Sequence, residues 1–277
     1  MSITLAFTKE IDTSFITILI KNSSDINHEL LQPYQKLLSQ KMADKDNGIT
    51  VFYEPNRTIA AVLLKENTSK SSGEISEEAR VKGGAMCKRI NYEKAQSTTI
   101  VRASQSVEKA ELLAFCEGIA LANYQFLKYK SEKKQNTLSA INISDKALSS
   151  EELEELGNVV AANTLARDLG NEPVIALNAV QLGEKVLELS KELGFTAEVL
   201  NKSQLEALRM GGLLGVNKGS SVPPTFSILE YKPATAKNIK PLIFVGKGVT
   251  YDTGGYSIKT GTGMPGMKMD MLSLIHI

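Results

Sequence analysis

Between Pro241 and Met271 the chain reads PLIFVGKGVTYDTGGYSIKTGTGMPGMKMDM, and within that stretch two lysines and two aspartates recur at short intervals. Lys247 follows the apolar run Leu242-Ile243-Phe244-Val245, and Asp252 comes five positions later. A Gly254-Gly255 turn separates this pair from Lys259, and Asp270 lies near the end of the stretch. Carboxylates are hard oxygen ligands, able to bridge two divalent cations. A lysine amine ligates a metal only after losing its proton, which burial or the metal's own charge can bring about. Lys247 suits that role, Asp252 is near enough in sequence to converge on the same ion, and Lys259 could stay cationic and face a substrate oxygen. Charged groups among glycines just past a strand are where α/β enzymes keep their chemistry. The set points to a polynuclear metal site.

The same residues admit plainer readings. Lysine and aspartate beyond a strand also form ordinary surface ion pairs. Gly246-Lys247-Gly248 invites a phosphate loop, but the GxxxxGK[ST] spacing is absent, because Val249 follows Gly248 and the positions upstream are strand-like. On spacing alone the ion pair and the metal site both stand. His28, ahead of a helix, reads as a surface or capping group rather than a ligand.

The elements that must carry these groups can be read from hydrophobic period and turn chemistry. Residues 3–7, 15–20, 49–53 and 58–64 are strand-like, with a helix between the second and third carrying Leu30, Leu31, Tyr34, Leu37 and Leu38. The polar, Ser-rich residues 67–78 read as a loop, and Gly83-Gly84 as the opening of a short segment. A strand is expected at 98–101 and a long helix from Ser106, with Leu112, Cys116, Ile119 or Ala120, and Leu127 on one face and Lys128, Lys130, Lys133 and Lys134 at its end. Residues 137–143 form a further strand, and 144–150 a polar joint. Capping boxes then open three helices: Ser149 with Glu152, Asn178 with Gln181, and Ser203 with Glu206. Gly170, Gly194 and Gly211-Gly212 close them in turn. Strands are expected at 195–200 and 225–231, and Leu242–Val245 as a buried strand just ahead of the chemistry. Helix and strand alternating at these lengths mean an α/β fold with mostly buried strands.

Composition sets the outer bounds. The chain has 277 residues, 42% hydrophobic and 23% charged, with 32 basic against 31 acidic side chains. A net charge of +1 asks for neither nucleic acid nor an anionic membrane as partner. Cys87 and Cys116 make no CxxC pair and read as reduced, buried thiols. No basic n-region precedes an apolar core at the N-terminus, and no apolar run approaches the roughly 20 residues that cross a bilayer. A cytoplasmic address is expected by default.

VGKGVTYDTGGYSIK followed by GMPGMKMDM resembles the signature of the leucyl aminopeptidase family, the cytosolic M17 metallopeptidases. Upstream, Ala166-Arg167-Asp168-Leu169-Gly170-Asn171-Glu172-Pro173 is similar to the family's ARDLxNxP segment. Met210 to Val216, Gly219-Ser220, Pro223-Pro224 and Leu229-Glu230-Tyr231 fit its next block, and Gly118 to Leu121 with Tyr124 to Lys130 fits the block closing its N-terminal domain. The resemblance covers about residues 110–271. It implies a peptidase using two divalent metal ions, Zn2+ or Mn2+. Lys247 would ligate one ion, Asp252 would bridge both, and Asp270 would join Lys247 on the first. Lys259 would be the catalytic lysine, polarising the scissile carbonyl and stabilising the tetrahedral diolate. The substrate would be a peptide with a free N-terminus, leucine preferred, and the family assembles as homo-hexamers.

The chain departs from that pattern at its end. The family's further Asp, Glu and Arg, in a motif of the form NTDAEGR, do not occur here. After Met271 the sequence runs Leu272-Ser273-Leu274-Ile275-His276-Ile277, which resembles translated adapter sequence from a sequencing library, so residues 272–277 are expected to be non-native. The expected organisation is therefore a macro-like α/β domain over 1–145, a linker helix over 146–170, and the N-terminal part of an α/β/α metallopeptidase domain over 171–271. Lacking two carboxylate ligands, this polypeptide alone is expected to be inactive. The alternative is a non-catalytic structural or DNA-associated member of the same scaffold family.

Overall fold

The computed structural model describes residues 3–8, 11, 14–43, 48–64 and 69–269. The chain divides into two compact units, Met1–Leu165 and Ala166–Ile277, with the division falling inside one long helix.

In the first unit six strands form one sheet: β1 (Thr4–Phe7), β2 (Phe15–Ile20), β3 (Ile49–Tyr53), β4 (Thr58–Leu63), β5 (Ser97–Arg102) and β6 (Ala140–Ser144). Their spatial order is β1-β6-β5-β2-β4-β3, parallel throughout except for the β3–β4 hairpin at one edge. All six residues of β2 are buried, as expected for a central strand covered on both faces. Its alternate side chains go to opposite sides. Phe15 and Leu19 join the cluster formed with α2 (Ser72–Tyr92) and α3 (Lys109–Ala122). Ile16, Ile18 and Ile20 join the cluster holding Leu31 and also Leu38 of α1 (Gln35–Ala43). Thr17, the one polar residue in β2, is satisfied by Thr98 at 3.0 Å between hydroxyls.

Three expectations fail in this unit. Residues 72–78 belong to α2 rather than to a loop. Ser71 and Glu74 form a reciprocal capping box at its start, and the polar composition belongs to the helix's solvent side. Gly83 and Gly84 lie inside α2 and open no new segment. Gly83 is where α3 crosses: a Cβ there would overlap the Phe115 carbonyl oxygen, and one on Gly118 would overlap the carbonyl of Arg80. Glycine at both positions lets the two backbones touch. The long helix from Ser106 is also shorter than expected. It ends at Ala122, so Leu127 and the lysines at 128, 130, 133 and 134 lie beyond it. Asn123 stops it, fixed by bonds between its side-chain amide and Leu138 O (2.8 Å) and Asn91 (3.0 Å).

Into the second unit runs α4 (Ser150–Asn171), opened as expected by the Ser149–Glu152 box. The Asn178–Gln181 box starts α5 (Ala179–Leu193), and Gly194 closes it at φ 75°, the left-handed cap that glycine adopts without strain. Then follow β7 (Thr196–Leu200), α6 (Lys202–Ala207), α7 (Gly211–Asn217) and β8 (Phe226–Glu230), with β7 and β8 paired antiparallel. The box opening α6 is Asn201 with Gln204, two residues before the pair expected, and Gly211 begins α7 rather than ending a helix. Leu242–Val245 forms no strand. Leu242, Ile243 and Phe244 are 78%, 81% and 81% exposed. A strand exists only by pairing, and among the described residues β7 and β8 pair with each other and not with this segment.

Candidate functional site

The loop after Val245 brings three of the four singled-out residues together. Lys247 Nζ donates to Asp252 Oδ2 at 3.0 Å, and Lys259 Nζ lies 3.4 Å from the same oxygen. All three side chains are partly covered, between 23% and 30% exposed. Asp270 lies outside the described residues.

Backbone geometry explains why Lys259 returns to Asp252. The other carboxylate oxygen of Asp252 accepts the Gly254 N–H at 2.9 Å, starting a turn. Gly254 sits at φ 86°, and a Cβ on it would overlap the Ser257 carbonyl, so no other residue fits. The Lys259 N–H then donates to Thr253 O at 2.9 Å and closes the loop. The sequence reading placed a turn at Gly254-Gly255, and the turn is there.

Electrostatics follow from the same contacts. The hydrogen bond from Lys247, joined by the Gly254 N–H and the Lys259 charge, holds the Asp252 carboxyl well below the usual carboxylate range. Asp252 is thus an anion at any physiological pH. On its other side Lys259 Nζ meets Met267 Sδ at 2.7 Å, a weak acceptor for a strong donor. Nothing in the spacing of residues indicated that contact, since methionine carries no sequence signal for chemistry.

A divalent cation would find the Asp252 carboxylate here and, once Lys247 gave up its proton, one amine, a donor pair that suits zinc or manganese. No group of three His, Cys, Asp or Glu side chains able to hold a metal occurs among the described residues. The described residues therefore fit one side of a metal site and leave the remaining ligands to be supplied by other residues. Elsewhere the expectations are quieter. His28 caps a short 3-10 turn, its Nδ1 accepting the Leu30 N–H at 3.3 Å. Cys87 and Cys116 are free and buried, and burial pushes their thiols up to about 11 and about 12. No helix of the described residues is long and apolar enough to cross a membrane.

Comparison with known proteins bears on the segment that holds the site. Residues 164–273 match the family model described as "Cytosol aminopeptidase family, catalytic domain". A probable cytosol aminopeptidase of Chloroherpeton thalassium is 48% identical over 118 residues, covering 42% of this chain and 23% of that protein. The chain spans less than half the length of these curated relatives, 48% of one from Geobacter sulfurreducens where 84% of this chain aligns. Among solved structures, the leucyl aminopeptidase of Trypanosoma cruzi superposes with a TM-score of 0.75 at 20% identity, over 97% of this chain and 56% of that one. The bottromycin maturation enzyme BotP in complex with Mn superposes with a TM-score of 0.69 at 20% identity, over 94% and 53%. At these identities the two structures establish the shared α/β fold.

Proposed function

This chain belongs to the cytosol aminopeptidase family, and from that premise we propose that it is the N-terminal portion of a two-metal aminopeptidase that removes the first residue of peptides, leucine preferred. The observation that carries the proposal is the convergence of Lys247 and Lys259 on one oxygen of Asp252, inside the family-matched segment.

In this reading Lys247, Asp252 and Asp270 would hold the ions, zinc or manganese, together with carboxylates from a C-terminal portion. When bound, the ions would lower the pKa of a water and draw charge from the attacked carbonyl. The protein's own groups have simpler tasks. Lys259, placed beside Asp252, would present its ammonium to the carbonyl oxygen, where negative charge grows in the transition state. Asp252, held ionised, stays available to a cation without first giving up a proton. The relatives' printed names support a cytosolic setting, and a homo-hexamer is proposed for the whole protein.

Among the described residues no group of three ligands able to hold a metal occurs, and the 277-residue chain is proposed to be inactive alone. The test joins residues 1–271 to the downstream portion of the Chloroherpeton relative and measures leucine released from a leucyl amide with Zn2+ or Mn2+. Metal-dependent release that Lys259→Met abolishes is expected. No release with either ion would overturn the catalytic reading, and turnover by the unextended chain would overturn the claim that it is inactive.

A further inference from the structure

From Thr260 onward the backbone is tied by short-range bonds. The Gly263 and Met264 N–H groups donate to Thr260 O at 2.9 and 3.1 Å, Met267 N–H to Met264 O at 3.1 Å, and Met269 N–H to Gly266 O at 2.8 Å. Gly266, at φ 88°, turns the chain between them. Such bonds shape a loop but do not fix where it lies.

Lys268 makes a bond of another kind. Its Nζ donates to the backbone oxygen of Asn171 at 2.6 Å, across 97 positions of sequence. Asn171 is the last residue of α4. The final carbonyls of a helix lack intrahelical donors and carry the negative end of its dipole, so a lysine ammonium satisfies both needs at once. Next to Lys268 stands Met267, whose sulfur meets Lys259 Nζ at 2.7 Å. A continuous line thus runs from the end of α4 through Lys268 and Met267 to Lys259. It also gives a use to the 166–173 segment, to which the site's chemistry assigned none.

We infer that Lys268 is a positioning residue: it moors the 260–269 loop to the C-terminal end of α4 and, through Met267, keeps the Lys259 ammonium beside Asp252. The inference rests on the aminopeptidase reading for what Lys259 is used for, and not for the mooring itself.

The test uses the 277-residue chain, with Lys268→Met and Lys268→Arg beside it. Amide hydrogen exchange is followed by mass spectrometry over 260–269 and over α5 as an internal control, together with the rate at which dilute peroxide oxidises Met267. Lys268→Met is expected to speed exchange in 260–269 about tenfold, the loss of one charge-assisted hydrogen bond, and to speed Met267 oxidation, with α5 unchanged. Lys268→Arg, which keeps a cationic donor, is expected to stay near the parent. Unchanged exchange in Lys268→Met, an equal rise in α5, or an arginine variant as loose as the methionine one would each overturn the inference. These readouts do not depend on turnover. A failed mooring would leave the leucyl amide assay of the extended chain standing, and a failed assay would leave the mooring standing.

Discussion

Lys247 donates to Asp252 at 3.0 Å, and the oxygen that accepts is the same one that Lys259 approaches to 3.4 Å. One carboxylate therefore balances two ammonium groups, and the loop's shape depends on its being charged. Since these contacts lower the folded carboxyl value, the ion pair is present above the ordinary carboxylate range and survives as pH falls some way below it. Carboxyl NMR shifts of Asp252 are expected to remain those of the anion at pH 3, where free aspartates are largely protonated. In the extended chain Asp252→Asn should lower kcat/KM about a thousandfold, a loss of the order seen when one electrostatic group is removed from an active site.

The crossing of α2 and α3 at Gly83 and Gly118 leaves no room for a methyl group, because backbone carbonyls occupy the space. Gly83→Ala or Gly118→Ala is expected to cost about 1–3 kcal/mol by forcing the helices apart. Urea unfolding followed by circular dichroism would read it, with Gly73→Ala, where a Cβ meets nothing within 4 Å, as the helical control expected to show no loss.

Acid should destabilise the first unit in a defined window. Asp25 is buried, which opposes its charge. Hydrogen bonds from Ser104, Ser106 and the backbone N–H groups of Asn22 and Lys21 prevail and hold it below the ordinary range. Asp145 is likewise lowered, burial being outweighed by the Arg102 guanidinium. Groups whose folded value is depressed stabilise above the unfolded value, about 3.9, and lose that contribution as pH falls through the folded one. Melting temperature should be flat from pH 7 to about 5 and fall below about 4. Ser104→Ala with Ser106→Ala should shrink the fall.

Lys21 pairs with Glu111 at 2.9 Å, and the glutamate is only 2% exposed. Its Oε2 also accepts the Glu108 N–H at 2.8 Å, so the carboxylate serves the cap of α3 as well as the ion pair. Removing the cation strands a buried charge, and Lys21→Met is expected to cost about 3 kcal/mol in a urea melt.

At pH 8 neither thiol should react with a disulfide reagent. Cys87 and Cys116 are buried and their thiols pushed up to about 11 and about 12, so thiolate is scarce as well as inaccessible. Two equivalents should react once urea unfolds the chain, and rapid labelling without urea would contradict the burial.

Much of this was legible before any coordinates. The β2 run FITILI, the boxes at Ser149 and Asn178, and the cap at Gly194 announce themselves through local rules, because each is decided by a few adjacent residues. The Gly254-Gly255 turn and the nearness of Lys247 to Asp252 belong to the same class, a short loop closing on itself, whereas the return of Lys259 to Asp252 was not read from spacing. What failed depended on distant partners. The polar start of α2 and its internal glycines make sense only against α3, and Leu242–Val245 has the composition of a strand without a neighbour to make it one. The Lys268–Asn171 bond, spanning 97 positions, left no trace in spacing.

One register has a bearing on how the chain is made. Thr4 to Phe7 of β1 lie against Ala140 to Ile143 of β6, and among the described residues β6 is the only strand with which β1 pairs. On a ribosome β1, though synthesised well ahead of β6, must therefore wait until residues 140–143 have emerged. The β2–β4 core can assemble in the meantime, leaving the amino-terminal strand to be threaded onto the edge at the close of the sheet's assembly.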